Sequence, residues 1–268
     1  MDFSFLDTSE RTDIGRRRKR NEDSVVRLPE SGIFCVADGI GGAFGGEMAS
    51  QTTIKTLVDD FDNTSTEDLE ASVATATTAL HHASSAIKHE AEEAGTLGTG
   101  TTVVLMAFGA EDSGQAVVLH AGDSRAYRLR NGRLNQLTRD HSVASAFGFD
   151  ADEALPAMFR GVITRALGLA DQAHVDRTDV NVAEGDLFLL CSDGLTRMIP
   201  DADLKLLLLE HADDDLQALT DKLVDEANAA GGHDNITVLL MKIVRGVPAP
   251  TQETETTRLP VRCRPKKS

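Results

Sequence analysis

Aromatic side chains make up only 4% of the 268 residues, so a core has to be assembled mainly from Ala, Val, Leu and Ile. The hydrophobic fraction of 41% still excludes disorder throughout. Cysteine is scarce: Cys35 and Cys191 stand inside apolar runs and Cys263 near the end, with neither CxxC spacing nor an even count. That excludes a disulfide framework and points to a reducing cytoplasm. Long hydrophobic runs are missing as well. No stretch approaches the ~18 apolar residues of a membrane span, and "MDFSFLDTSERTD" has no apolar core after a basic region, so it is not a signal peptide. Positive charge is in deficit, with 27 Lys and Arg against 43 Asp and Glu and a net charge of -16. A nucleic-acid binder that must neutralise phosphates is thereby disfavoured. Acidity of this kind is by itself only a solubility property. The length suits one catalytic domain.

What is present is a set of short aliphatic and β-branched runs. Strands are expected over Ile33 to Ala37, Thr101 to Phe108, Ala116 to Ala121, Ser124 to Leu129, Leu187 to Cys191 and Ile236 to Val244. Several follow one another with no helix between, and Asn131-Gly132 marks a tight hairpin, so antiparallel pairing is expected. Helices are expected in pairs: Glu47 to Phe61 with Glu67 to Glu93, and Asp203 to His211 with Asp214 to Ala230. Ser65 and Asp68 resemble a capping box, and Asp213, Asp214 and Asp215 place negative charge at a helix start. The pattern is that of a mixed α+β, four-layer α-β-β-α sandwich, two mainly antiparallel sheets flanked by helix pairs. Residues 1-245 form the catalytic domain on this reading. The stretch 246-268, rich in Pro, Thr and charge, reads as a flexible, mildly basic tail.

Two apolar runs end in Asp-Gly: "GIFCVADGIGG" at Asp38 and "DLFLLCSDGLT" at Asp193. In a hairpin this dipeptide is merely a good turn. Here both lead toward helices and loops. Asp123 ends a strand in "HAGDSRAY", Asp234 opens one in "GGHDNITVLLM", and Glu22 precedes one in "RNEDSVV". A cluster of buried carboxylates repels itself and takes up protons unless cations intervene. Oxygen ligands without thiolate or imidazole clustering favour Mg²⁺ or Mn²⁺ over Zn²⁺. His81, His82 and His89 lie on an exposed helix face, and Asp150-Ala-Asp152 and Asp201-Ala-Asp203 lack the glycine and closing glutamate of a calcium loop. The run "GRRRKRNEDS" precedes the first acid. If extended, it puts Arg16, Arg18 and Arg20 on one face, where an arginine fork suits a phosphate dianion.

In chain order "RKRNEDS", "VADGIGG", "GTGTTVVLM", "GDSRAYRL", "LTRDHS", "VITRALG", "LLCSDGL" and "GGHDNITV" resemble the successive motifs of the metal-dependent, type 2C protein serine/threonine phosphatases, in particular compact bacterial members. The resemblance spans Asp13 to Val244. It implies that Asp38 bridges two Mn²⁺ or Mg²⁺ ions, that the Gly39 carbonyl ligates one, and that Asp193 and Asp234 hold the other. Glu22 would act through water, Arg18 would grip the substrate phosphate, and Asp123 would join Asp193 at a third, looser metal position. Activity, with Arg18 and Asp38 as the catalytic pair, would be hydrolysis of phosphoserine and phosphothreonine in proteins by a metal-activated water, without a phosphoenzyme. Partners would be phosphoproteins made by a serine/threonine kinase, with no nucleic acid and no membrane, and the chain would act as a monomer. In one respect the sequence departs from the pattern. Many bacterial members carry His after the double glycine, assigned to protonating the leaving alkoxide, whereas this chain has Ala43; a metal-bound water or His141 are the alternatives. The stretch 142 to 161, where relatives place a variable flap, also departs. A haloacid-dehalogenase-like enzyme is disfavoured because Cys191 stands where its Asp nucleophile belongs. A non-catalytic phosphoprotein-binding module of the same fold is the competing reading.

Overall fold

The computed structural model describes residues 1-64, 66-96, 98-148, 161-170, 173-212, 214-245 and 258-259; for residues 42-44 and 258-259 it describes the backbone alone. The elements in chain order are β1 (Leu6–Asp13), β2 (Asp23–Leu28), β3 (Ile33–Ile40), α1 (Gly42–Asp62), α2 (Leu69–Ala94), β4 (Gly100–Thr101), β5 (Val103–Phe108), β6 (Gln115–Ala121), β7 (Arg125–Arg130) and β8 (Arg133–Gln136). There follow α3 (Val143–Ala146), β9 (Asp176–Asn181), β10 (Leu187–Cys191), α4 (Asp193–Thr196), α5 (Asp201–Glu210), α6 (Leu216–Ala229), β11 (Ile236–Ile243) and β12 (Arg258–Leu259).

Every paired strand is antiparallel. One sheet runs β1-β11-β10-β7-β8, the other β12-β9-β6-β5-β3-β2, with β4 paired to β3. Strand alternation sorts the apolar residues into three layers. Phe34, Val36, Val104, Met106, Phe108, Phe188, Leu190, Leu239 and Met241 point between the sheets. Their neighbours Ile33, Cys35, Val103 and Leu105 point outward onto α1 and α2 through Leu57, Ala76, Leu80 and Ile87. On the other sheet Leu189, Cys191, Val238 and Leu240 meet Leu204, Leu208, Leu219 and Leu223 of α5 and α6. The few aromatics are concentrated in the middle layer: Phe108 packs edge-on against Phe34 at 5.8 Å and Phe188 at 5.7 Å. This is the expected four-layer sandwich.

Local details correct several expectations. The β7–β8 hairpin turns at Asn131 (φ 49°) and Gly132 (φ 72°), as Asn-Gly requires. α1 starts at Gly42, five residues earlier than expected. The cap of α2 is Asp68 itself, accepting from the Ala71 N–H at 2.8 Å; Ser65 lies outside the described residues. Asp215 caps α6, while Asp214 pairs with His211 and Asp213 is also outside. The basic stretch is not extended. Residues 15 to 17 form a turn, so the shared face of Arg16, Arg18 and Arg20 does not exist. Most of the 246-268 stretch and residues 149-160 of the flap lie outside the described residues. Among those described, no helix is long and apolar enough to cross a membrane.

Candidate metal centre

Both Asp-Gly steps answer to backbone packing. A Cβ on Gly39 would collide with the carbonyl oxygen of Gly46 and crowd that of Glu22, and one on Gly194 would collide with the carbonyl of Asn235. Each glycine therefore lets the chain after an acid press against another backbone. For Gly39 the crowding comes from α1 and the Glu22 loop.

Asp38 is on the last turn of strand register in β3, opposite Asp23 of β2. Its backbone is fixed by Thr101 Oγ1 and the Thr102 N–H, both donating to the Asp38 carbonyl at 2.8 Å. The Gly39 N–H donates to the Glu22 carbonyl at 3.1 Å. Asp193 opens α4 directly after β10, and Asp234 stands two residues before β11. Asn235 ties that loop to the first motif: its Oδ1 accepts from the Glu22 N–H at 2.8 Å and its Nδ2 donates to the carbonyls of Ile14 (3.0 Å) and Arg20 (2.8 Å). Asp123 follows β6 after Gly122 and is 8% exposed.

The acids feel one another. Burial first, then the charges of Asp23, Asp193, Asp123 and Asp234, hold the Asp38 carboxyl well above the usual carboxylate range. Burial and Asp193 push Asp123 up to about 7, with Arg197 opposing. Asp193 is raised by burial against the pull of Arg197, and Glu22 by burial against that of Arg18. Among the buried side-chain oxygens with no hydrogen-bond partner are Asp123 Oδ1 and Asp193 Oδ1. Lone pairs left unpaired beside mutually repelling carboxylates are what a hard divalent cation satisfies, so the donor set fits such ions.

Arg18 is half exposed. Its Nη2 lies 2.6 Å from Asp234 Oδ2 and its Nη1 3.6 Å from Glu22 Oε2, which puts it at the rim of the acids. Arg20 pairs instead with Glu47 at 3.6 Å.

Sequence reasoning missed three participants. Asp23, buried, accepts from Ser192 Oγ at 2.8 Å and Thr237 Oγ1 at 2.7 Å. Burial pushes its carboxyl up to about 7 against those two donors. Since Asp23 belongs to one sheet and both donors sit at strand ends of the other, this triad fastens the sheets beside the acids. Asn235 is the second, and Arg197, paired to Asp193 at 2.6 Å, is the third. Register opposite Asp38 would have flagged Asp23, and the i,i+4 spacing from Asp193 would have flagged Arg197.

A different trio packs tighter. Ligand atoms of His120, His141 and Asp176 all lie within 4.8 Å of one another, a spacing that no other such group of described residues achieves. The imidazoles stack at 4.6 Å. His141 Nδ1 accepts from the Gly122 N–H at 3.2 Å, so its proton is on Nε2, facing Asp176 Oδ2 at 3.2 Å. Arg165 Nη1 already neutralises Asp176 at 2.8 Å. A guanidinium in place and a committed tautomer make this a poor cation site, although His120 Nδ1 has no partner. Burial first, then His120, pushes His141 down to about 4. Through the bond from the Gly122 N–H, His141 braces the loop carrying Asp123.

The protein phosphatase 2C family model matches residues 15-238. The serine/threonine phosphatase stp of Listeria innocua is 32% identical over 243 residues, covering 87% of this chain and 94% of that protein. The solved structure of PppA, a key regulatory component of the type VI secretion system (T6SS) in Pseudomonas aeruginosa, is 34% identical with a TM-score of 0.80, covering 90% and 98% of the two chains. The catalytic domain of the serine threonine protein phosphatase PstP, solved with two manganese ions, is 32% identical with a TM-score of 0.76, covering 90% and 99%. With the same sandwich, the motifs in the same order and the family model spanning most of its length, the chain belongs to the protein phosphatase 2C family.

Proposed function

We propose that this enzyme, a metal-dependent protein serine/threonine phosphatase, works with a pair of Mn²⁺ or Mg²⁺ ions held by Asp38, the Gly39 carbonyl, Asp193 and Asp234, with Glu22 acting through water. The observation that carries the reading is the cluster of Asp38, Asp123, Asp193 and Asp234, drawn from both sheets, in which charge raises charge and buried oxygens stay unpaired. When bound, the ion pair supplies a strong nucleophile from water at neutral pH and neutralises charge on the transferring phosphoryl group.

The chain's own residues do the rest. Asp38 would be the residue shared by the two ions, and its backbone is locked by Thr101 and Thr102. Arg18 exchanges its Asp234 contact for a phosphate dianion, for which its planar fork offers two parallel donors. Asp23 holds the sheets in register beneath the acids. Two nucleophilic side chains next to Asp193 are withdrawn from the role of covalent nucleophile: Cys191 is fully buried within β10 and Ser192 Oγ is committed to Asp23. Phosphoproteins produced by a serine/threonine kinase in the same cytoplasm are the substrates on this reading, with the chain acting as a monomer. The test is hydrolysis of a phosphothreonine peptide with and without excess Mn²⁺ by wild type and Asp193→Ala. Absence of metal-stimulated turnover in wild type rejects the reading and leaves a phosphoprotein-binding module.

A further inference from the structure

Arg197 follows Asp193 by one helical turn. Its N–H donates to the Asp193 carbonyl at 2.8 Å, which sets the two side chains on one face. Arg197 Nη2 then lies 2.6 Å from Asp193 Oδ2 and 3.7 Å from Asp123 Oδ2. One guanidinium thus spans two carboxylates, one at the start of α4 and one in the loop after β6. Those residues are only 7% and 8% exposed, and each keeps its other oxygen unpartnered. A Cβ on Gly161 would come within 3.1 Å of the same Nη2, so the backbone at Gly161 also lies beside the group.

We propose that Arg197 is a built-in cation at the Asp123–Asp193 position, standing where a third, loosely held metal ion would otherwise bind, so that this chain loads two divalent ions and excludes a third. A guanidinium keeps its charge across the whole working pH range and its planar fork fits paired carboxylates. It is also covalently tethered, so it competes at high effective concentration against an ion that must come from solution. A divalent ion entering the same position would meet that fixed positive charge at contact distance. The two remaining oxygens, Asp123 Oδ1 and Asp193 Oδ1, stay available to the ion pair and its waters.

The inference rests on the two-ion reading above, and calorimetric titration of the metal-free, full-length chain with MnCl₂ separates the two. Wild type is expected to take up two ions. Arg197→Ala and the more conservative Arg197→Gln are expected to take up a third, with affinity at that position raised by about 10- to 100-fold over wild type. Arg197→Lys keeps the count at two, and Asp123→Asn in the Arg197→Ala background returns it to two. Three ions in wild type, or two in both neutral variants, overturns the inference and leaves the two-ion centre standing. No manganese uptake by wild type overturns both.

Discussion

Two groups of potential ligands lie within a few residues of each other in this fold, and the tighter one is the poorer metal site. His120, His141 and Asp176 converge within 4.8 Å, yet their single carboxylate is matched by Arg165 and the His141 tautomer is fixed by the Gly122 N–H. Around Asp38 the acids are spaced more widely, but Glu22, Asp23, Asp123, Asp193 and Asp234 outnumber the arginines Arg18 and Arg197 that touch them. Charge imbalance and unpaired buried oxygens mark a cation site more reliably than proximity, because a balanced, hydrogen-bonded cluster has nothing left to offer an ion.

The comparison breaks most visibly under charge removal. Asp193→Asn is expected to lower phosphopeptide turnover by ~10³-fold or more, since a metal supplies several kcal/mol of transition-state stabilisation. Asp176→Asn, in the balanced trio, should keep the same manganese stoichiometry in calorimetry. If it loses the ions, the contrast is wrong. Next in size, Ala43→His offers the leaving alkoxide the general acid that the family resemblance leads one to expect at this position. Turnover of alkyl phosphates should rise by about 10²-fold, the lower end for general acid catalysis, while aryl phosphates, with better leaving groups, gain little. His141→Ala unpairs the Gly122 N–H and should cost about 1–3 kcal/mol of unfolding free energy in urea titrations. The manganese count should stay at two.

The last prediction concerns protons. Burial first, then neighbouring acids, push the Asp23 and Asp123 carboxyls up to about 7 from the ordinary 3.8. The folded, metal-free state therefore binds more protons than the unfolded one between about pH 4 and 7. Its stability should fall as the pH rises through that window, and manganese should restore it by replacing the protons. Urea midpoints at pH 5 and pH 8, with and without Mn²⁺, read both effects.

How much of this was legible beforehand depended on burial. Runs such as Ile33 to Ala37 and Leu187 to Cys191 are buried on both faces and announce themselves by composition. β1, "LDTSERTD", is a sheet edge with mixed exposure, and β9, "DRTDVN", is half polar, so neither carries an apolar signature. The acids were visible because Asp-Gly after an aliphatic strand is conspicuous. Asp23 was not, since its meaning comes from cross-strand register with Asp38 and from hydroxyls at positions 192 and 237. Arg197 was hidden in the same way: until α4 is known to begin at Asp193, nothing distinguishes it from any other surface arginine.

The fastening of Asp23 to Ser192 and Thr237 carries a consequence for biosynthesis. Its three members are separated by most of the polypeptide's length, and Thr237 belongs to a strand that lies between β1 and β10. A ribosome-bound nascent chain that stops short of Asp234 has neither that acid nor the Thr237 hydroxyl, so it holds an unfinished half-site. Dephosphorylating power would switch on only once that strand emerges and inserts, and long-range closure of this type is slow. Catalytic competence therefore waits on the strand from Ile236 to Ile243 taking its place between β1 and β10.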